Sequence, residues 1–400
     1  MTERIPTLLF GAFDRHNFGD LLFPHVAAAL LGSEQMLYAG LAQRDLRALG
    51  GHETAALARL AADWGERPLN IVHAGGELLT CDAWQAAVML QTPEQAQTAI
   101  AQYDRDQAAR LAWARRELGL PDLAPYTVAP GSFRNVHALA YNGVGGVDLD
   151  TCDEPLRAEA LTKLAAADFV GVRDHITHAT LTRAGIAARL MPDPAVMARE
   201  LFGARIATHG EVGELARLRQ RFPQGYLALQ FSADFGDDAT LAQLAAQLDR
   251  AARDTGLGIA LFRAGAAPWH DQLEPYQRLA ARMHAETAIF ESLDIWDICA
   301  LIAHSRAYCG GSLHGRIVAM AYGLPRISLL HPDQEGKPGK QAAYAETWEV
   351  DGVARVVGIR GIAEKIVHAL TQDRTALAAT AARLSRLYRE GFEELRGKLG

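Results

Sequence analysis

The sequence predicts an α/β protein of two domains, each built on a parallel sheet whose strands are connected by helices. Short β-branched or apolar runs recur along the chain, and each ends in Gly or Asp and is followed by a helical pattern. The chain has 400 residues, whereas a single hydrophobic core usually stops growing at roughly 250–300 residues. A second domain with its own sheet is therefore expected.

The order of these runs divides the chain into four parts. Strands are expected near 7–10, 70–74, 126–129, 137–141, 169–172 and 189–191 in the first half, and near 226–230, 258–262, 288–290, 307–309 and 326–330 in the second. The N-terminal domain is assigned to residues 1–200 and the C-terminal domain to 214–372. Between them, 201–213 has weak periodicity and scattered Gly, which indicates a hinge. Residues 373–400 repeat apolar side chains at helical spacing, which predicts an amphipathic helix.

One long helix is marked inside the first domain by its start signals. Thr92 suits the N-cap, Pro93 suits the first helical position, and Gln95 completes a capping box with Thr92. The helix is expected to continue to about Leu118 and to end at Gly119.

Composition narrows the class of function. The chain is 49% hydrophobic and 22% charged, which is typical of a globular protein. Its formal net charge of -7 is spread without a block of like charge, which argues against a nucleic-acid partner or a membrane surface. The four cysteines form no CxxC pair, so neither a zinc site nor a disulfide framework is predicted. No signal peptide and no transmembrane segment are read from the sequence, and a cytoplasmic location is expected.

Two strand ends in the first half are candidate binding loops. Asn17, Gly19 and Asp20 lie where a strand leads into a helix, so free backbone N–H groups there can bind an anion or a sugar hydroxyl. Capping of that helix by Asn17 or Asp20 is the alternative. Gly75 and Gly76 form a second strand-end turn that lets another group approach the backbone closely, and a turn without a ligand is the alternative.

Two further loops resemble nucleotide-binding or metal-binding motifs only superficially. Residues 143–146, Gly-Val-Gly-Gly, lack the third spaced Gly and the acidic residue of a dinucleotide-binding loop. Asp148 and Asp150 have the spacing of the D-x-D that holds a metal in some glycosyltransferases. They precede a helix expected to start near Glu154, and helix capping explains them more simply. No metal site and no cofactor are predicted.

Arg173 ends a predicted strand and precedes a helix. An Arg at the carboxyl end of a buried parallel strand points into the ligand crevice, and its planar guanidinium suits a phosphate or a carboxylate. The alternative is an ion pair with Asp174, or with Asp193 in the Pro-Asp-Pro turn.

The second half carries the most prominent candidate, a glycine-rich strand end that leads directly into a helix. Gly311 ends the strand, and the first helical turn presents Ser312, His314 and Arg316. A His and an Arg at a helix N-terminus are disfavoured by the helix dipole unless an anion lies nearby. The sequence therefore predicts an anion-binding site here, and a satisfied core histidine is the alternative.

In their order, these motifs resemble the polysaccharide pyruvyl transferase family from Gly11 to about Leu330. The pieces that carry the resemblance are Asn17-x-Gly19-Asp20, Gly75-Gly76, Gly143-Val144-Gly145, Val172-Arg173-Asp174 with Leu181 and Gly185, Pro192-Asp193-Pro194, Leu313-His314-Gly315 and Gly323-x-Pro325. The resemblance implies two Rossmann-like domains that face each other, as in GT-B glycosyltransferases. It also implies that pyruvate moves from phosphoenolpyruvate to a sugar as a cyclic ketal.

The resemblance further implies a role for individual residues. In that family a basic residue at the position of Arg173 and an Arg-Leu-His run hold phosphoenolpyruvate, with the His as acid/base. Leu313 and His314 match this run, with Gly311 beside it, whereas Ser312 stands where the family usually has Arg. Either Arg316 supplies the missing charge, or the donor differs. The hypothesis requires that the imidazole and both guanidinium groups open to water.

On the acceptor side, the resemblance implies a glycan or a lipid-linked sugar. The residues expected to contact it or to line the cleft are Asn17, Gly19, Asp20, Gly75, Gly76 and Asp193. Two other functions stay open, namely a GT-B-type glycosyltransferase that uses a nucleotide-sugar and a non-catalytic relative that binds a glycan.

Overall fold

The structure is a computed structural model of the chain, and it describes residues 5–32, 35–129, 131–269, 271–334 and 339–400. The chain divides into two compact units. The N-terminal unit comprises Met1–Pro194 and Leu387–Gly400, and the C-terminal unit comprises Ala195–Arg386.

The sheet of the N-terminal unit is almost entirely parallel. Its strands are β1 Thr7–Phe10, β2 Met36–Gly40, β3 Arg44–Asp45, β4 Glu53–Ala56, β5 Leu69–His73, β6 Gly76–Glu77, β7 Val136–Gly145, β8 Phe169–Val172 and β9 Arg189–Leu190. They lie in the order β3-β4-β2-β1-β5-β7-β8-β9, with β6 paired to β7 and only β3 and β4 antiparallel within the described residues. The strands β1, β5 and β8 are buried along their whole length, as parallel strands covered on both faces are.

The helices of this unit connect the strands. They are α1 Phe18–Leu31, α2 Leu57–Trp64, α3 Ala83–Met89, α4 Pro93–Tyr103, α5 Gln107–Leu118, α6 Glu154–Ala165 and α7 His175–Arg183. The long helix predicted from Thr92 to Leu118 is in fact two helices, α4 and α5. Its start is as predicted, with a complete capping box on Thr92 and Gln95. The break arises because Asp106 caps a new helix, accepting a hydrogen bond from the N–H of Ala109 at 3.0 Å.

One strand prediction and one loop prediction in this unit need correction. Residues 126–129 form a turn and a loop, although Tyr126 and Val128 are buried. A side chain satisfies the backbone there, because the N–H of Val128 donates to Nε2 of His73 at 3.0 Å. The glycines of 143–145 lie inside β7 rather than in a loop, at a register shift against β8. Gly143 has a φ of 61°, a conformation that favours glycine.

The C-terminal unit contains a second parallel sheet. Its strands are β10 Tyr226–Gln230, β11 Gly258–Phe262, β12 Thr287–Phe290, β13 Ala307–Gly310, β14 Arg326–Leu330 and β15 Val356–Gly358, in the order β12-β11-β10-β13-β14-β15. Its helices are α8 Ala198–Gly210, α9 Gly213–Arg221, α10 Asp238–Thr255, α11 Leu273–Ala280, α12 Ile295–Ala303, α13 Leu313–Ala321, α14 Lys340–Trp348 and α15 Ile362–Leu370. The predicted strands of this half all correspond to observed ones.

The division between the units does not fall where the sequence suggests. It lies between Pro194 and Ala195, and most of 201–213, the predicted hinge, belongs to the helix α8. Gly203 and Gly210 lie inside this helix, and glycines at these positions are why the sequence predicts a loop there. Gly210 has a packing reason, because a Cβ there would collide with the ring of His304.

The last helix, α16 Arg374–Leu399, occupies the segment for which the sequence predicts an amphipathic helix. Leu377, Leu384 and Leu395 on its apolar side are buried. The helix contributes to the C-terminal unit up to Arg386 and to the N-terminal unit from Leu387 onward. Among the helices of the described residues, none combines the length and the hydropathy that crossing a lipid bilayer requires.

Candidate functional site

The predicted acceptor residues and Arg173 lie at the carboxyl edge of the N-terminal unit's sheet. The strands β1, β5, β7 and β8 are parallel neighbours, so the loops that follow them open on the same edge. The residues that these loops carry are Asn17, Gly19 and Asp20 after β1, Gly75 and Gly76 after β5, and Arg173 after β8.

The loop after β1 and the turn after β5 are in contact. Asn17 is the N-cap of α1, and its Oδ1 accepts a hydrogen bond from the N–H of Gly19 at 3.2 Å. Asp20 is 7% exposed, and its Oδ1 lies 3.2 Å from where a Cβ on Gly76 would be. Gly75 and Gly76 have φ angles of 132° and 102°, which favour glycine. The structure therefore shows Asn17 as a helix cap, which was the alternative. The absence of a side chain on Gly76 leaves room for the carboxylate of Asp20.

Arg173 is held by two carboxylates. It is 1% exposed, and its Nη1 donates to Oδ2 of Asp193 at 2.8 Å while its Nη2 donates to Oε2 of Glu77 at 2.6 Å. Burial alone would lower the pKa of this guanidinium, but Glu77 and Asp193 raise it above its ordinary value. The ion pair with Asp193, an alternative that the sequence left open, is present. We call these three residues the edge network.

Gly145 makes room for the edge network. A Cβ on this residue would lie 2.7 Å from Nε of Arg173 and would also collide with Oε2 of Glu77. The glycine at the end of β7 is thus required by the close approach of an ion pair.

A polar cluster beside Asn17 was missed by the sequence interpretation. The hydroxyl of Tyr126 accepts a hydrogen bond from Nη1 of Arg15 at 2.5 Å and donates to Oδ1 of Asp14 at 2.9 Å. Burial raises the pKa of Asp14, although Arg15 and two backbone N–H donors oppose this shift. The adjacent pair Asp14 and Arg15 after a strand was the available signal, but Tyr126 lies 112 positions away in the chain.

The D-x-D motif has a structural role that differs from the one expected. Asp153, rather than Asp148 or Asp150, occupies the N-cap of α6. Asp150 instead accepts a hydrogen bond from Oγ1 of Thr180 at 2.9 Å and pairs with Arg183. Both partners belong to α7, so Asp150 ties the loop to a helix other than the one it precedes.

In the C-terminal unit, the loop between β13 and α13 lies at the carboxyl edge of the second sheet. Ser312 is the N-cap of α13, and its Oγ accepts a hydrogen bond from the N–H of Gly315 at 3.2 Å. The carbonyl of Ser312 accepts from the hydroxyl of Tyr308 at 2.9 Å, and the carbonyl of Gly311 accepts from the side-chain amide of Gln341. Tyr308 and Gln341 thus hold the loop Gly311 to His314. We call it the donor loop after the role that the resemblance predicts for it.

His314 occupies the second position of α13. It is 8% exposed, and the preceding Leu313 is 2% exposed and packs inside. The start of a helix at the carboxyl edge of a parallel sheet favours an anion, because the helix dipole and free N–H groups point there. The structure places Ser312 and His314 together at such a position.

Arg316 does not open to the donor loop. It is fully buried, and its Nε and Nη2 donate to Glu349 at 3.1 and 2.6 Å. Its remaining donors go to Oγ of Ser328 at 3.0 Å and to the carbonyls of Ala354 and Arg355 at 3.0 and 2.8 Å. These contacts use the five N–H groups of a guanidinium. The expectation that Arg316 replaces the missing Arg of the donor motif therefore conflicts with its place in the structure. Arg173 is buried as well, so the condition that both guanidinium groups open to water is not met.

The protein itself supplies an anionic partner for Arg316, namely Glu349. Glu349 receives hydrogen bonds from Arg316 and from Nε and Nη2 of Arg326, the latter at 2.7 and 2.6 Å. The side chains of these three residues are 0% exposed. Burial would raise the pKa of Glu349, but the two guanidinium groups lower it below its ordinary value. We call Arg316, Arg326 and Glu349 the interior network.

Sequence interpretation also missed a buried carboxylate near the donor loop. Oδ2 of Asp271 accepts hydrogen bonds from Nε2 of Gln230 at 2.8 Å and from the N–H of Ala264 at 2.6 Å. Burial raises the pKa of Asp271 to about 7. Gln230 ends β10, and the signal that could have found it is a polar residue at the end of a buried strand.

One group of possible metal ligands lies elsewhere in the C-terminal unit. Among the described residues, His209, Asp294 and Asp297 bring one ligand atom each within 4.8 Å of one another. His209 and Ser292 hydrogen-bond to Asp297 at 2.6 Å each, and Asp294 caps α12. Ordinary hydrogen bonding and capping account for this group.

Comparison with known proteins connects this geometry to a family. The family model described as polysaccharide pyruvyl transferase matches residues 139–333. The matched part contains Arg173, Asp193 and the donor loop, and it begins after the loops of Asn17 and Gly75. The resemblance predicted from the motifs is confirmed over these residues, and it indicates a transferase. No curated protein matches the chain in sequence.

Solved structures share the fold at low sequence identity. UDP-GlcNAc 2-epimerase from Methanocaldococcus jannaschii, in complex with UDP-GlcNAc and UDP, has a TM-score of 0.50 and 12% identity over 95% of this chain and 98% of that chain. MnaA from S. aureus, in a co-structure with UDP, has a TM-score of 0.53 and 11% identity over 95% and 91%. The likeness shows the fold alone, and the predicted GT-B-like class of parallel sheets flanked by helices is confirmed.

Proposed function

We propose that the protein transfers pyruvate from phosphoenolpyruvate to a sugar of a cell-surface or exopolysaccharide precursor, as a ketal, and releases phosphate in the cytoplasm. The observation that carries this proposal is the family match over 139–333, because it contains both Arg173 and the donor loop with His314. The position of His314 at the start of α13, at the carboxyl edge of a parallel sheet, supports the same reading.

The reaction needs one group that moves protons. The methylene carbon of phosphoenolpyruvate gains a proton and becomes a methyl group, which builds positive charge on the carbon that bears phosphate. One sugar hydroxyl attacks that carbon and loses its proton, the C–O bond to phosphate breaks, and a second hydroxyl attacks and loses its proton. In our proposal His314 gives the first proton and takes one back from one hydroxyl, because an imidazole exchanges protons near neutral pH. The proton of the other hydroxyl leaves with the phosphate as hydrogen phosphate.

The donor loop offers hydrogen bonds to the anion. The hydroxyl of Ser312 can donate to a phosphate or carboxylate bound at this helix start, and a helix N-terminus offers backbone N–H groups to such an anion. The interior network carries two guanidinium groups against one carboxylate, and one of its members, Arg316, belongs to the same helix, so it adds a net positive charge to this unit. Arg316 thus contributes through its charge rather than through contact.

The edge network limits how Arg173 can contact the donor, because its guanidinium already donates to two carboxylates. A contact from Arg173 to the donor requires that Glu77 or Asp193 give up a hydrogen bond. Acceptor contacts are proposed from the loops of the same sheet edge, where carboxylates and glycine turns suit sugar hydroxyls. These residues are Asn17, Gly19, Asp20, Gly75, Gly76 and Asp193.

The test is a phosphate-release assay with phosphoenolpyruvate against a panel of glycans and lipid-linked sugars. We expect acceptor-dependent release of one phosphate per pyruvate transferred. In D₂O the methyl group of the product should carry one deuterium, because its third hydrogen comes from the solvent through the enzyme. A product without solvent deuterium would exclude protonation of the methylene carbon.

A nucleotide-sugar reaction is the competing function, and the two similar structures described above give it a specific basis, since both contain UDP. Thermal shift separates the two, because a ligand that binds the folded state raises the midpoint of unfolding. We expect phosphoenolpyruvate to raise it and UDP to leave it unchanged. The reverse result would replace the proposal with a nucleotide-sugar enzyme, and no response together with glycan binding would indicate a non-catalytic relative.

A further inference from the structure

The carboxyl edge of the C-terminal unit's sheet carries unsatisfied polar atoms on both sides of the donor loop. The strands β11, β10, β13 and β14 are neighbours in this sheet. Arg263 directly follows β11, Gln230 ends β10, and His331 directly follows β14. Nε of Arg263, Oε1 of Gln230 and Nε2 of His331 are buried, and none has a hydrogen-bond partner among the residues that the structure describes.

Such a row indicates a place where a ligand completes the hydrogen bonds. The large majority of buried side-chain polar atoms in proteins have a partner, so three such atoms without one at a single sheet edge require an explanation. Ligands of open parallel sheets bind outside the carboxyl ends of the strands, which is the edge at which these three residues lie.

Gln230 connects the row to the donor loop. It is 3% exposed, and its Oε1 lies 3.8 Å from the position that a Cβ on Gly311 would take. Through its Nε2 it is bound to Asp271, which in turn holds the N–H of Ala264. This series of contacts runs from the donor loop to the residue next to Arg263.

Arg263 differs from the buried arginines of the same unit. Arg316 and Arg326 are fully buried and share Glu349, and carbonyls or hydroxyls hold their other N–H groups. Arg263 is only partly buried, and its positive charge acts on the carboxyl group of Asp271, whose pKa it lowers against the effect of burial. A guanidinium at a strand end with an unsatisfied N–H is suited to a phosphate or carboxylate oxygen.

We propose that Arg263 is a donor-binding residue, which directs its Nε–H at a phosphate or carboxylate oxygen of the donor beside Gly311, with Gln230 and His331 completing the polar lining. The inference rests on the proposed function, because it takes the ligand to be phosphoenolpyruvate. It assigns the cationic contact that neither Ser312 nor Arg316 provides.

The test measures the Kd of phosphoenolpyruvate, and of inorganic phosphate as a second probe, by calorimetry on the full chain. Arg263→Ala should raise the Kd of phosphoenolpyruvate about 10- to 100-fold, as expected for the loss of a charge-assisted hydrogen bond. Arg263→Lys keeps the charge but not the planar guanidinium, so its Kd for phosphoenolpyruvate should lie between those of the wild type and of Arg263→Ala. Gln230→Ala, which removes a neutral partner, should raise the Kd by about 2- to 10-fold.

The matched control is Arg306→Ala. Arg306 precedes β13, at the amino edge of the same sheet, and it is exposed. This variant removes the same charge from the same unit, and its Kd should equal that of the wild type. Thermal unfolding of each variant shows whether it remains folded.

The outcomes separate this inference from the function beneath it. Unchanged binding of phosphoenolpyruvate by a folded Arg263→Ala overturns the inference, while phosphate release by the wild type would still support the proposed function. If the wild type binds UDP but not phosphoenolpyruvate, and Arg263→Ala weakens UDP, the proposed function fails and Arg263 stands as a phosphate contact. Equal weakening by Arg306→Ala would show a general effect of charge and would overturn the assigned contact.

Discussion

The two units use arginine and carboxylate in opposite proportions. The edge network of the N-terminal unit has one guanidinium, Arg173, between two carboxylates, and one of these, Glu77, is 22% exposed. The interior network of the C-terminal unit has two guanidinium groups around Glu349, and all three side chains are 0% exposed. An arginine near a strand end is therefore a ligand contact only where its N–H groups are not already used within the protein.

The first prediction concerns His314 in the donor loop. Because the arginines of both networks are already paired within the protein, we expect this imidazole to carry the proton transfers. His314→Ala should lower kcat by roughly 10²–10⁴-fold, the usual contribution of a general acid/base. His304→Ala is the matched control, because His304 precedes β13 at the opposite edge of the same sheet. Steady-state phosphate release measures both, and normal turnover in a folded His314→Ala would remove His314 from the mechanism.

The second prediction tests whether the interior network is structural. Glu349→Ala leaves two guanidinium groups without their buried carboxylate and should lower the free energy of unfolding by about 3–5 kcal/mol. Glu77→Ala should cost less, because Glu77 is partly exposed and Arg173 keeps Asp193. Denaturant unfolding of both variants gives the two values. Equal losses would break the distinction between edge and interior.

The third prediction concerns the pH dependence of stability that Asp271 causes. The folded state raises the pKa of Asp271 to about 7 from an ordinary value of 3.8, so the fold favours the protonated form. Its contribution to stability is present below pH 4 and is lost as the pH rises to about 7. Asp271→Asn should therefore gain stability relative to the wild type over this range, as followed by urea unfolding at several pH values. A constant difference would show that Asp271 does not titrate there.

The smallest expected effect concerns the space around the edge network. Gly145→Ala places a Cβ against Glu77 and Arg173 and should cost about 1–3 kcal/mol, as overpacking does. Gly203→Ala in α8 is the control, since a Cβ there meets nothing within 4 Å, and it should be neutral or stabilising by roughly 0.5–1 kcal/mol. Thermal unfolding compares them, and a neutral Gly145→Ala would mean that the edge network shifts freely.

Much of the fold could be predicted from the sequence because many of its signals are local. The strand at Thr7–Phe10, the capping box on Thr92 and the glycines before α13 each depend on neighbours within a few positions. The break at Asp106 was hidden because Asp is tolerated inside a helix as well as favoured at its start.

The site was less predictable because its partners are distant in the chain. Whether Arg316 faces a ligand or the interior is decided by Glu349, 33 positions later. The sequence correctly predicted that Arg173 lies at the carboxyl edge of its sheet. It did not predict the ion pair with Glu77, which lies 96 positions earlier in the chain. Spacing predicts which strand end a residue occupies, and only the tertiary structure shows what its N–H groups contact.

The path of α16 bears on how the chain matures during translation. The C-terminal unit is one uninterrupted stretch, Ala195–Arg386, whereas the N-terminal unit also requires Leu387–Gly400. In the N-terminal unit, the hydroxyl of Tyr388 exchanges hydrogen bonds with the side chain of Asn142, and the carbonyl of Leu399 accepts one from Asn70. The half that the ribosome makes first is thus the one completed last, and a fragment that ends at Pro194 lacks Tyr388 and Leu399, which hydrogen-bond to these two buried asparagines.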